Sequence, residues 1–110
     1  MRVKVTVDRP IGFLHHGHEY LVNYGYISGV IGGDGAEQDA YILDRSIDYP
    51  IESYCGEVIA VAVRDDDVET KWIVSNEKWT AEEIYDKISF FEQFFKTHVH
   101  LIENYPANKL

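Results

Sequence analysis

The stretch YLVNYGYISGVIGGDGAEQDAYIL, residues 20–43, decides how the chain folds. Its first half is aromatic and β-branched, which reads as a strand with a glycine kink near Gly25 or Gly29. GGDG is a strong turn, and DAYIL resumes a strand, so the whole reads as a hairpin. Its tip carries Asp34 and Asp39, with Glu37 between them. Asp-Gly is what a hairpin turn wants for backbone reasons. Paired carboxylates are also what a hard cation wants. These residues alone leave both readings open.

Upstream, MRVKVTV alternates, with Val3, Val5 and Val7 on one face of a half-buried strand. RPIG breaks it, because proline lacks an N–H and glycine relaxes the backbone. FLHHGHE reads as a loop. Downstream, DRSIDYPIESYCG is irregular, EVIAVAVR is a buried strand, DDDVE is a tight acidic turn and TKWIVS is its hairpin partner. To this point the pattern is an all-β meander. Thr80 and Glu83 then form a capping box. Ile84, Ile88, Phe91 and Phe95 follow at helical spacing, widened by Phe90 and Phe94. The spacing predicts one helix, residues 80–96, of about four turns. HVHLIE reads as a last short strand. The chain is therefore expected to be mainly β with a C-terminal helix (α+β). Its strands form a small barrel or a curled sheet, and partial closure of a barrel would hide their edges. One domain spans residues 1–103, and a flexible tail spans 104–110.

The 110 residues fit one compact domain, and 45% hydrophobic content supports a core. The single cysteine, Cys55, excludes an internal disulfide framework. No signal peptide or long apolar run is evident, so a cytoplasmic protein is expected. The net charge of −9 should repel nucleic acid and anionic membranes and suit divalent cations. It also argues against an OB-type nucleic-acid binder, which the barrel and its aromatics would otherwise suggest.

The second acidic turn, RDDDVETK, places Asp65, Asp66 and Asp67 where they repel one another, a cost a cation would relieve. Asp39 and Glu69 begin strands that, if neighbours, bring both acidic turns to one rim. Lys71, two residues after Glu69, shares its strand face and can reach a phosphate. The alternative is a solvated loop. His15, His16 and His18 share one glycine-containing loop. They can bind phosphate when protonated or a transition metal when neutral, or they are simply exposed polar groups. His98 and His100 share a strand face.

In order and spacing, NYGYI, DGAEQDAYIL, an acidic hairpin ending in lysine and a helix carrying FFEQFF resemble family I inorganic pyrophosphatase. The resemblance covers most of the chain. Its most specific element is D-x-D-[PE]-x-D before an apolar strand, just after Y-x-x-N-Y-G. It implies a five-stranded OB-like barrel that hydrolyses pyrophosphate with Mg²⁺, for which Mn²⁺ could substitute. By this resemblance Tyr20 and Tyr24 are the paired tyrosines, and Tyr24 donates to a phosphate oxygen. Asp34 and Asp39 are the first and last metal-binding aspartates of the signature, and Glu37 is the permitted alternative to proline. Glu69 stands where the family has a metal-binding aspartate, two before the phosphate-binding lysine, Lys71. One of Asp65, Asp66 and Asp67 matches a further ligand, with Asp66 taken here. Arg9, His16 and His18 are added as cationic groups for the substrate.

Three departures bear on activity. The middle signature aspartate, which activates water in the family, is Ala36, leaving Glu37 or metal-bound hydroxide to substitute. The family's Tyr-Lys pair in the last helix aligns with Phe94 and Phe95. Lys96 lies about 100° around the helix and replaces that lysine poorly. The Lys-x-Glu segment after the first strand is replaced by HHGH. Two functions are therefore expected. The first is metal-dependent hydrolysis of pyrophosphate or a related phosphoanhydride. The second is a catalytically impaired module that binds phosphate or cations without turnover. The partner is a small phosphorylated substrate, with a homo-oligomer possible through aromatics such as Trp79 or Tyr105.

Overall fold

A computed structural model describes residues 1–65 and 69–110. The elements run β1 (Arg2–Arg9), β2 (Leu14–His15), β3 (His18–Glu19), β4 (Tyr24–Ile31), β5 (Glu37–Ile42), β6 (Ser53–Arg64), β7 (Thr70–Ser75), α1 (Ala81–Glu92) and β8 (Thr97–Leu101). β1, β4, β5, β7 and β6 pair in that order, and β1 pairs back onto β6. The result is the expected five-stranded barrel, closed and mixed. β6 is long enough to change partners along one edge. Ser53–Glu57 face β1, and Ala60–Arg64 face β8.

The sheet is not a meander. β5 lies parallel to β7, with Ala40 opposite Trp72, rather than pairing with β6. Parallel neighbours need a crossover, and residues 43–52 with β6 supply it. Both strands therefore begin at the same end of the barrel, which brings Asp39 and Glu69 to one rim.

β5 and β7 are buried on both faces, and alternation sorts their side chains. Ala40, Ile42, Trp72 and Val74 join Val5, Ile27, Val58 and Val61 inside the barrel. Tyr41, Leu43 and Ile73 point outward to meet Tyr20, Tyr24, Trp79, Ile84 and Ile88 beneath the helix. Each such aliphatic side chain contributes roughly 1.5–3 kcal/mol of burial.

The kink in β4 is at Gly29, whose φ of +82° sits in a register slip between Ile27 and Ile31. Gly25 serves close approach instead, since a Cβ there would lie 1.8 Å from the Thr6 carbonyl oxygen of β1. The strand begins at Tyr24, later than its composition implies. Asn23 is turned inward there: its Oδ1 accepts from Ile11 N at 3.0 Å, and its Nδ2 donates to Tyr49 O at 3.0 Å.

α1 starts on the expected capping box, Thr80 with Glu83. It ends at Glu92, short of residue 96, because the chain must reverse to place Thr97 opposite Arg64. Phe94 and Phe95 fall in that reversal and are exposed. FLHHGHE, expected as a loop, contains the short β2–β3 hairpin. The last residues form two short 3₁₀ turns, and Tyr105 packs against the barrel interior. Among the described residues no helix is long and apolar enough to cross a membrane.

Candidate functional site

At the barrel end where β5 and β7 begin lies a cleft of about 340 Å³. Its walls hold Arg9 from the end of β1, Tyr20 and Tyr24 from before and at the start of β4, Asp39 from β5, Glu69 and Lys71, with Asp34 at the rim. Arg64, Tyr41, Phe91 and Phe95 form the side next to the helix, and Asp8 and His15 complete the lining.

Lys71 is the hub. Its side chain is 8% exposed, and its Nζ donates to Asp39 Oδ2 at 2.8 Å and to Glu69 Oε1. The Tyr24 hydroxyl and the Glu69 carboxyl both neighbour the Asp39 carboxylate and act on its titration. Burial pushes Asp39 up, but the hydrogen bonds from Glu69, Lys71 and Tyr24 outweigh it and hold the group below the usual carboxylate range. Glu69 moves the other way, raised by burial and by the neighbouring Asp39. Two adjoining carboxyls share the site as one ionised and one more readily protonated partner. Burial, with Asp39 beside it, keeps Tyr24 a protonated donor. Arg9 Nη1 donates to Tyr20 Oη at 2.8 Å, and its guanidinium lies 5.6 Å from the Tyr24 ring centroid.

The structure thus brings Asp34, Asp39, Glu69, Lys71, Tyr20, Tyr24 and Arg9 to one cleft, but not on equal terms. Asp34 is exposed, and its Oδ1 accepts from Ala36 N at 3.0 Å, closing its own turn. Among the described residues no three His, Cys, Asp or Glu side chains are grouped to hold a metal. Of the expected set, Asp39 and Glu69 meet at Lys71, and Asp34 stands apart from them at the rim. Mg²⁺ commonly takes only one or two carboxylates and completes its shell with water and phosphate, so the donor chemistry of the Asp39 and Glu69 pair would be sufficient for such an ion. Asp66 lies outside the described residues.

Glu37 does not face the cleft. Its Oε2 accepts from Gly29 N at 3.1 Å, which ties it to the β4 bulge. Glu37 therefore does not stand in the cleft in place of the carboxylate that Ala36 lacks. His16 and His18 are not in the lining. His16 sits at the hairpin tip with φ +51°, and His18 packs on Phe94 at 4.8 Å between ring centroids. His15 is the member of that loop that lines the cleft, 5.9 Å from the Phe91 ring.

Sequence reasoning missed Arg64, Glu92, Tyr41 and Asp8. A signal existed for Glu92, which falls four and eight residues after Ile88 and Ile84, on the core stripe of the helix. A carboxylate in that position needs a buried partner.

No family model and no curated protein sequence matches the chain. Solved structures do. An inorganic pyrophosphatase from Ehrlichia chaffeensis superposes with a TM-score of 0.71 at 14% identity, over 93% of this chain and 86% of that one. A protein described as an inorganic phosphatase from Anaplasma phagocytophilum gives 0.64 at 19% identity, over 91% and 81%. At such identities the likeness is one of architecture, and the chain has a pyrophosphatase-like fold.

Proposed function

We propose that the protein hydrolyses inorganic pyrophosphate, or a related phosphoanhydride, in this cleft with Mg²⁺ or Mn²⁺. The observation that carries this reading is the meeting of Asp39, Glu69 and Lys71, from two separate hairpins, at one end of a pyrophosphatase-like barrel. Asp39 and Glu69 are the residues that would hold the ion. When bound, such an ion lowers the pKa of water and neutralises phosphate charge. The chain's own part is to place donors. Lys71 has three N–H bonds and gives two of them to carboxylates, which leaves one for a phosphate oxygen. Tyr24 stays protonated and can donate. Arg9 adds charge from the end of β1. Fixed donors of this kind stabilise charge that builds on phosphate oxygens as the bridging bond breaks.

One observation favours the second reading, binding without turnover. Ala36 offers no base, and Glu37 is held away by Gly29. General-base assistance is worth about 10²–10⁴-fold, so turnover is expected to be slow. The experiment is a phosphate-release screen over pyrophosphate, nucleotides and polyphosphate with each divalent metal. Release that requires Mg²⁺ or Mn²⁺ and disappears in Asp39→Asn supports hydrolysis. Thermal stabilisation by phosphate ligands without release supports the binding module. Neither response removes both readings.

A further inference from the structure

We infer that Arg64 is an anion-binding residue of the cleft, aimed at a phosphate group by the buried carboxylate of Glu92 and the ring of Phe95. The inference rests on the phosphate reading of the cleft, though not on turnover.

Arg64 ends β6, lines the cleft, and has a side chain only 9% exposed. Glu92, fully buried, receives it as a fork: Nε to Oε1 at 3.0 Å and Nη2 to Oε2 at 2.7 Å. The same carboxylate accepts from Tyr41 Oη at 2.6 Å and Thr97 Oγ1 at 2.8 Å. Each oxygen of Glu92 is thus bound by two donors, and the carboxylate is locked. The Phe95 ring covers the guanidinium face at 3.7 Å. Arg64 is held in its plane by Glu92 and across its plane by Phe95.

This fixation leaves part of the fork unused. A guanidinium has five N–H donors, and Nη1 has no acceptor among the described residues. Yet no side-chain nitrogen or oxygen buried among those residues lacks a partner. Nη1 is therefore not sealed in, and the opening available to it is the cleft that Arg64 lines. A buried ion pair contributes little net stability and often does no better than apolar residues of the same size. A rigid guanidinium edge facing a polar cleft is, however, well suited to phosphate oxygens. It stands where the end of β6 meets the helix, whereas Lys71 and Arg9 come from β7 and β1. A ligand with two phosphoryl groups can engage both sides.

The alternative is that Arg64 only ties the helix end to the barrel. The two are separated by measuring binding apart from folding. The probes are imidodiphosphate and inorganic phosphate, each with and without Mg²⁺, titrated calorimetrically. The main variant is Arg64→Met with Glu92→Gln, which removes both buried charges and keeps an acceptor for Tyr41 or Thr97. It is expected to melt cooperatively and to bind imidodiphosphate about tenfold to a hundredfold more weakly, the range of a charge-assisted hydrogen bond. A folded double variant that binds as tightly as wild type overturns the inference. Should the double variant not fold, Phe95→Ala decides, because that ring is largely outside the core. It should weaken binding by up to about fivefold by loosening the guanidinium, and unchanged binding overturns the inference. A wild-type chain that binds neither probe overturns the phosphate reading itself, whereas wild-type binding with unaffected variants overturns the role of Arg64 alone.

Discussion

Glu92 carries its charge into the packing between helix and barrel, and its titration should be visible in stability. Burial pushes its carboxyl up, but the hydrogen bonds from Arg64, Tyr41 and Thr97 prevail and hold it below its ordinary value of 4.5. Between the folded and unfolded values, the unfolded chain binds the proton and the folded chain does not. Stability from this group is therefore complete above about pH 5 and is lost as pH falls through the folded value. In urea titrations from pH 6 to 3, wild type should lose stability more steeply than Glu92→Gln, and equal slopes would contradict the argument. Asp39 and Lys71 were legible as neighbours because both lie near the starts of candidate adjacent strands, whereas Tyr24 entered through the family resemblance, and the three line one cleft. Arg64 was not, because its partner lies 28 residues away and nothing local pairs them. Glu37 looked like a spare base in the sequence. A β4 bulge at Gly29, which no spacing rule locates, takes it away.

At the level of elements, pairing partners decide more than propensity does. The capping box fixed where α1 begins, since Thr80 and Glu83 satisfy each other's backbone donors locally. Its end was not local: it depends on β8 finding the second half of β6. The parallel contact of β5 with β7 was hidden for the same reason, although Asp39 and Glu69 were already placed at the starts of candidate neighbours. Gly25 shows how tight one of these pairings is. An added Cβ would meet the Thr6 carbonyl at 1.8 Å and its carbon at 2.7 Å, both backbone atoms of β1. A flexible side chain cannot yield there, so β1 and β4 must part and the barrel seam must open. Gly25→Ala is expected to cost about 3 kcal/mol or more, the upper end of overpacking penalties. Gly35→Ala, with open space around its Cβ position but φ +84°, should cost about 1 kcal/mol. Denaturant midpoints for the two variants check the order. The reverse order would mean that β1 shifts freely against β4.

Across the whole molecule, a net charge of −9 opposes compactness, while the cleft sets the carboxylates of Asp8, Asp34, Asp39 and Glu69 against Arg9, Arg64 and Lys71. Two kinds of salt effect should therefore appear. Sodium chloride screens diffuse repulsion and raises the melting temperature smoothly. Magnesium chloride at matched ionic strength should raise it further, because an ion held by Asp39 and Glu69 binds the folded chain only. At ten times its dissociation constant that linkage adds about 1.4 kcal/mol, or roughly 5–10 °C for a domain of this size. Asp39→Asn with Glu69→Gln should keep the sodium response and lose the magnesium excess. The same double variant leaves the buried Lys71 ammonium without its two carboxylates, so its melting temperature without added metal is expected to fall, and the excess rather than the baseline is the quantity to compare. Equal responses to the two salts in wild type would mean that the carboxylate pair serves Lys71 alone. An excess retained by the variant would place the cation elsewhere on the acidic surface.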